Sequence, residues 1–247
     1  MTEKCFRNLF VESSDADASS HLRPSAFLLM AQSIAVEQVS FLNPVASQAE
    51  LVKQNLAWVV SRARYVFKRM PGLDENIVLS SWHKRQDNLY YIRDYRMETP
   101  EGEELITGTS SWVILNLESR SVEAHWSGMT EADEIHDDAI EAAAPRIRMP
   151  RGVEPELAGE HVVRYSDVDI NSHANNTRYV DWAMDVLDYE LTSQKRVREL
   201  LINYNREVRP GETVQLYKVC VEQENGLCCY VEGKVNGMSS FVIELIY

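Results

Sequence analysis

The chain has 247 residues, 45% of them hydrophobic, and 38 acidic against 25 basic side chains give a net charge of −13. That apolar content supports a substantial core, in one large domain or two of ordinary size. The acidic balance argues against nucleic acid or an anionic membrane as a general partner, because both are bound by neutralising phosphates with Lys and Arg.

The N-terminal stretch MTEKCFRNLF lacks the long apolar core of a signal peptide. The most apolar helical run, residues 26–42, is interrupted by Gln32, Ser33, Glu37 and Gln38 and reads as too polar and too short to cross a bilayer. Cys5, Cys220, Cys228 and Cys229 form no CxxC and have no nearby His at metal-ligand spacing. The expectation is a cytoplasmic protein with free thiols, and no metal or cofactor is implied.

In chain order, residues 6–11 read as a strand and residues 25–42 as a helix that begins after Pro24. Its apolar positions Phe27, Leu28, Met30, Ala31, Ile34, Ala35 and Val39 cover more than a narrow stripe, so the helix should be largely buried. Four strand-like segments follow at 56–68, 76–84, 89–98 and 103–116, separated by Pro71-Gly72, Asp87-Asn88 and Pro100-Glu101-Gly102. Such short connections predict an antiparallel sheet.

Residues 130–160 lose this patterning, and the reading divides the chain into 1–130, a linker 131–158 and 159–247. The order then repeats. A short strand near Val162 precedes a helix over 176–190 and strands at 200–207, 213–222, 227–235 and 241–247, with Asn225-Gly226 and Asn236-Gly237 as hairpin turns. ARYVFKRMPG in the first half echoes INYNREVRPG in the second, which points to a duplication. Each half is expected to be α+β, an antiparallel sheet curled around a long helix.

The chemistry-bearing stretch is HVVRYSDVDINSHANNTRYVDW, residues 161–182. If its first part is extended, Asp169, Asn171 and His173 share one face. Asn175 or Asn176 would then cap the following helix, whose free N–H groups and positive dipole end would face that row, where a carbonyl oxygen gaining charge could be stabilised. Asp and Asn before a helix serve more often as caps and turn residues, so this pattern alone does not decide the matter.

DVDINSHANNTRYVDW resembles the Asp-x-Asn-x-His-x-Asn-Asn segment of acyl-acyl carrier protein thioesterases from bacteria and plants. NLAWVVSRARYVFKRMP and SSWVILNLESRSV are similar to the first-half strands of that family, so the likeness runs from about Phe6 to Tyr247. It implies a tandem hotdog fold, with an N-terminal half that holds the acyl chain and a C-terminal half that supplies catalysis. It further implies Asp169, Asn171, His173 and Glu207 as the catalytic set, the last on the strand after the helix. Where plant members commonly have a Cys after this Glu, the chain has Val208, which weakens any thiol mechanism and leaves the carboxylate one intact.

Met30, Ile34 and Trp58 are candidates to line the acyl pocket. Acyl carrier protein is the implied partner. Because both proteins are acidic, docking would need a local basic patch, either Arg146, Arg148 and Arg151 or Lys195, Arg196 and Arg198. The chain would be a monomer or a homodimer. An acyl-coenzyme A thioesterase and a non-catalytic acyl-binding tandem hotdog are the rival readings, with a dehydratase behind them.

Overall fold

The computed structural model describes residues 3–124, 126–224 and 226–247. The first half runs β1 (Cys5–Phe10), α1 (Pro24–Leu42), α2 (Gln48–Lys53), β2 (Leu56–Phe67), β3 (Asn76–Asp87), β4 (Tyr90–Glu98) and β5 (Glu104–Asn116). The second runs β6 (Glu156–Val162), α3 (Arg178–Asp185), α4 (Tyr189–Gln194), β7 (Glu199–Tyr204), β8 (Thr213–Gln223), β9 (Gly226–Val235) and β10 (Met238–Ile246).

Both halves form antiparallel sheets of the same topology. Their orders, β1-β3-β4-β5-β2 and β7-β10-β9-β8-β6, are mirror images that meet where β2 pairs with β7, giving one ten-stranded sheet. The echo between ARYVFKRMPG and INYNREVRPG has a geometric counterpart at this junction. It equates Ala63 with Ile202, and these two residues pair with each other. The pseudo-two-fold axis therefore passes through that pair.

The two half-sheets, each carrying its own helix as the tandem reading expects, are joined edge to edge. Pairing β2 with β7 satisfies two edges that would otherwise expose backbone N–H and C=O groups, and one core runs through both halves. Phe27 of α1 packs edge-on to Tyr65 at 5.3 Å, Tyr179 of α3 stacks on Phe241 at 4.5 Å, and all four rings belong to that core. The second helix is shorter than expected. The 176–190 helix resolves into α3 and α4, because the chain turns at 186–188 and sends Leu187, 6% exposed, into the core.

α1 contains an 18-residue window with a mean hydropathy of 1.4, so by length and composition alone it is apolar enough to cross a bilayer, contrary to the sequence reading. In this fold Phe27, Leu28, Ala31 and Ile34 face the sheet. The β9–β10 turn has positive φ at Asn236 and Gly237, as its Asn-Gly predicts. Of the other predicted Asn-Gly turn, Asn225 lies outside the described residues.

The 134–155 segment crosses the sheet face opposite the helices and is held by side chains beneath it. Trp82 Nε1 donates to Asp137 O at 2.8 Å, Lys84 Nζ to Ile140 O at 2.6 Å, and Asn203 Nδ2 to Ile147 O at 2.7 Å. Asp94 accepts from Ala139 N at 2.9 Å, and its burial pushes the carboxyl above its ordinary pKa.

The expectation of four free thiols fails. Cys220 and Cys229 face each other directly in the β8–β9 ladder, with Cα atoms 4.1 Å apart, and form a disulfide. Sequence spacing concealed the pair because it is created by strand register. Titration in denaturant without reductant should find two reactive thiols, Cys5 and Cys228, and four after reduction. Four before reduction would show the bridge to be open.

Candidate functional site

The His173 loop is a closed turn rather than an extended row. Val168 and Ala174 form an isolated antiparallel bridge, Asp169 N donates to His173 O at 2.9 Å, and Ser172 has φ of 62°. The Asp169 carboxylate accepts the Asn171 N–H at 2.8 Å, an Asx turn that fixes this loop. Thus Asp169, Asn171 and His173 come together by turn chemistry, and alternation along a strand plays no part. Asn171 is exposed and His173 half-buried.

The helix cap also differs from the expectation. Thr177 occupies the N-cap position of α3, while Asn175 Oδ1 accepts from Thr177 N at 3.0 Å and from its hydroxyl at 2.8 Å. Asn175 thereby braces the entry to the helix from two positions earlier.

Glu207 does not lie on a strand. β7 ends at Tyr204, and the N–H groups of Asn205 and Arg206 both donate to Ser240 O at 2.9 and 3.0 Å, which breaks the ladder and frees the following residues. One backbone bond then joins the two segments, Ala174 N to Val208 O at 2.8 Å. Because His173 and Glu207 precede those two residues, this bond brings His173 Nε2 to 3.4 Å from Glu207 Oε1, slightly long for a hydrogen bond.

Two arginines hold the Glu207 carboxylate. Arg209 Nη2 lies 3.0 Å from Oε1, and Arg120 Nη2, reaching over from the first half, lies 3.0 Å from Oε2. Burial pushes the Glu207 pKa up, but these hydrogen bonds and the nearby imidazole outweigh it, so the carboxyl sits below its ordinary value. Arg206, the sequence neighbour, points elsewhere, toward Met238 Sδ at 3.1 Å.

A second acid–imidazole pair lies beside the first. Asp167 Oδ2 accepts from Arg164 N at 2.7 Å and is 2.9 Å from His161 Nε2, and His161 stacks on Trp182 at 4.4 Å. Burial raises the Asp167 pKa, yet these two bonds hold the carboxyl below its ordinary value.

His173 and Glu207 open into a cavity of ≈ 1340 Å³ that continues along α1 into the first half. Its wall there includes Leu29, Val36, Val39 and Trp58, as well as His83 and Arg93. Trp58, a sequence candidate, is on the wall. Met30 and Ile34 are not, because they occupy the opposite side of α1 and pack into the core. Apolar character alone does not tell a helix face that meets the sheet from one that lines a cavity. Among the described residues, no group of His, Cys, Asp and Glu is arranged to hold a metal ion.

The model of the acyl-ACP thioesterase N-terminal domain matches residues 3–130, and that of the C-terminal domain matches residues 153–246. The chain belongs to the acyl-ACP thioesterase family. A palmitoyl-acyl carrier protein thioesterase of Gossypium hirsutum is 24% identical over 172 residues, 67% of this chain and 42% of its own length. A dodecanoyl-[acyl-carrier-protein] hydrolase of Cinnamomum camphora is 25% identical over 188 residues, 73% of this chain and 49% of its own. The chain thus matches about half or less of the length of these chloroplastic relatives. Among solved structures, an acyl-ACP thioesterase from Bacteroides thetaiotaomicron superimposes with a TM-score of 0.86 at 25% identity, covering 98% of this chain and 97% of that one. A 12:0-ACP thioesterase from Umbellularia californica shares the fold, with a TM-score of 0.83, 18% identity and coverage of 98% and 92%.

Within this thioesterase fold, Arg120, Arg209, Arg93 and His83 are site residues that sequence reasoning missed. Arg209 was open to discovery, two positions from Glu207 in a turn. Arg120, whose φ of 56° bends its turn toward the other half, becomes a neighbour only through the β2–β7 junction. In Arg120→Ala the Glu207 carboxyl should titrate at higher pH than in the wild type by NMR, and an unmoved midpoint would refute the assignment. The depressed folded pKa means that the Arg120 contribution is present above the unfolded carboxyl pKa and fades as pH falls through the folded value. With Arg120 51% exposed, the stability difference near neutral pH should be on the order of 0.5 kcal/mol or less.

Proposed function

We propose that this chain hydrolyses acyl-acyl carrier protein to a free fatty acid and the carrier thiol. The supporting observation is that His173 and Glu207, 34 positions apart, meet at one cavity of ≈ 1340 Å³ that is lined further along by residues of α1. The thioester would sit at His173, with its acyl chain in the first half and the pantetheine arm leaving toward solvent.

In this reading a water between His173 and the thioester carbon is the nucleophile. Imidazoles as a class change charge between about pH 5 and 8, whereas a carboxylate held by two arginines is a weakened base. The division of labour that fits is His173 Nε2 taking the proton from water and Glu207 stabilising the imidazolium. The new C–O bond forms as water attacks, and the Asn171 side-chain amide donates to the developing oxyanion. The C–S bond then breaks, and the proton on His173 passes to the departing sulfur. Asp169 contributes by fixing the Asn171 backbone.

Mutation separates these roles. His173→Ala and Glu207→Gln should each lower kcat for an acyl-carrier-protein substrate by roughly 10²-fold or more. Near-normal turnover of folded variants would remove both groups from the chemistry, and retention of bound thioester without thiol release by the wild type would favour an acyl-binding protein.

The carrier would dock on the rim of the cavity, where Arg23, Arg120, Arg178 and Arg206 stand among Asp15, Asp169 and Asp181 and offer basic groups to an acidic partner. Arg146, Arg148 and Arg151 are carried by the segment on the far face of the sheet, away from the cavity mouth; Arg196 is paired with Asp17 at 2.6 Å, as Arg178 is with Asp181 at 3.1 Å. Arg178→Glu should raise KM for the carrier-protein substrate several-fold and leave KM for a short pantetheine thioester unchanged. Equal effects on both substrates would contradict rim docking, and equal wild-type rates on matched carrier-protein and coenzyme A thioesters would favour the coenzyme A reading.

A further inference from the structure

The cavity that begins at His173 and Glu207 does not remain apolar along its length. On β4 the residues Tyr91, Arg93, Tyr95 and Met97 alternate toward α1, and Arg93 occupies a position where an alkyl chain alone would be matched by another Leu or Met. Arg93 pairs with His83 across β3 and β4, and both line the cavity together with Tyr91 and Trp112.

Arg93 is only 6% exposed. Its Nη1 donates to Gln38 Oε1 and to Ser81 Oγ, the latter at 3.1 Å. Among the described residues no carboxylate lies within ion-pair distance of it, and its hydrogen bonds all leave from Nη1, so that Nε and Nη2 are left to the cavity that Arg93 lines. A cation removed from water without a counter-charge is among the costliest groups a fold can contain, and a guanidinium cannot escape by losing its proton. His83 offers no compensation. Burial, reinforced by Arg93, pushes its pKa down to about 4, so it is neutral at neutral pH. The open side of Arg93, Nε with Nη2, is a planar fork that matches two oxygens of one carboxylate.

We propose that Arg93 reads the far end of the acyl group, so that the preferred substrate carries a hydrogen-bond-accepting oxygen, above all a carboxylate, at the end remote from the thioester. The inference deepens the thioesterase reading, on which it rests for the direction of the chain. It makes Arg93 a specificity-determining residue, because buried donors left unpaired by a methyl-ended chain penalise that chain, whereas one ending in oxygen satisfies them.

The test uses the whole protein and two readouts. Calorimetry compares dicarboxylic with monocarboxylic acids of matched length, as products, on wild type and Arg93→Met. Thiol release compares pantetheine thioesters ending in carboxylate, hydroxyl or methyl. The dicarboxylic acid should bind wild type roughly tenfold tighter or more, kcat/KM should follow the same order, and both ratios should fall toward one in Arg93→Met. No preference in the wild type, or a preference that survives in folded Arg93→Met, overturns the proposal. If Arg93→Met does not fold, the wild-type comparison decides alone. Because binding is read on products, a preference for dicarboxylic acids without any thiol release would sink the thioesterase reading and leave this one standing. Turnover of methyl-ended thioesters with no end-group preference would do the reverse.

Discussion

The pairing of β2 with β7 is the constraint on which the rest of the structure depends. Five residue pairs, from Arg62 with Asn203 to Val66 with Glu199, convert two half-sheets into one and remove two free edges at the centre of the molecule. The consequences reach well beyond the sheet. The junction makes a common core of Phe27, Tyr65, Ile202 and Phe241. It also brings the turn carrying Arg120 to the carboxylate of Glu207, and lets a cavity that starts in one half continue in the other. A single hotdog-like half would have neither the second arginine on Glu207 nor the α1 wall of the cavity.

Duplication supplied two similar halves, and the site arises where they differ. The first half invests in a helix of 19 residues, whose outward-facing Leu29, Val36 and Val39 line the cavity. The second has an α3 of only eight residues, preceded by the 168–174 turn that the first half replaces with a different loop. Shortening the helix and tightening the turn places His173 beside Val208, and the Ala174–Val208 backbone bond fixes that placement at the cost of no side chain. The cavity wall and the His173–Glu207 pair are thus supplied by different copies of one architecture.

What was legible in the sequence follows from the range of the interactions involved. Strand and turn patterns are local, and β2, β4, β5 and the Asn236-Gly237 turn lie where alternation and turn chemistry predict them. The resemblance of residues 167–182 to a known motif pointed to His173 and Glu207, which the structure brings together. Register and long-range packing were not legible. The Cys220–Cys229 bridge exists only because β8 and β9 align those residues, and the arginine partners of Glu207 include one from the other half. Met30 and Ile34 misled for a physical reason: hydrophobicity marks burial, and a helix face buried against its own sheet looks the same in sequence as one that lines a ligand channel. Arg93 was invisible for the opposite reason, since a charged residue in a strand ordinarily reads as solvent-facing.

The central claim is spatial, that one continuous cavity takes the thioester at His173 and Glu207 and the acyl chain beneath α1. The most direct measurement is a crystal structure with a non-hydrolysable acyl-pantetheine thioether ketone, in which a methylene separates carbonyl and sulfur. The account predicts its carbonyl carbon within a water's reach of His173 Nε2, its oxygen toward Asn171, and its acyl tail between α1 and the β2 wall at Trp58. A tail lying in solvent or in the C-terminal half, or a carbonyl bound away from His173, would contradict it.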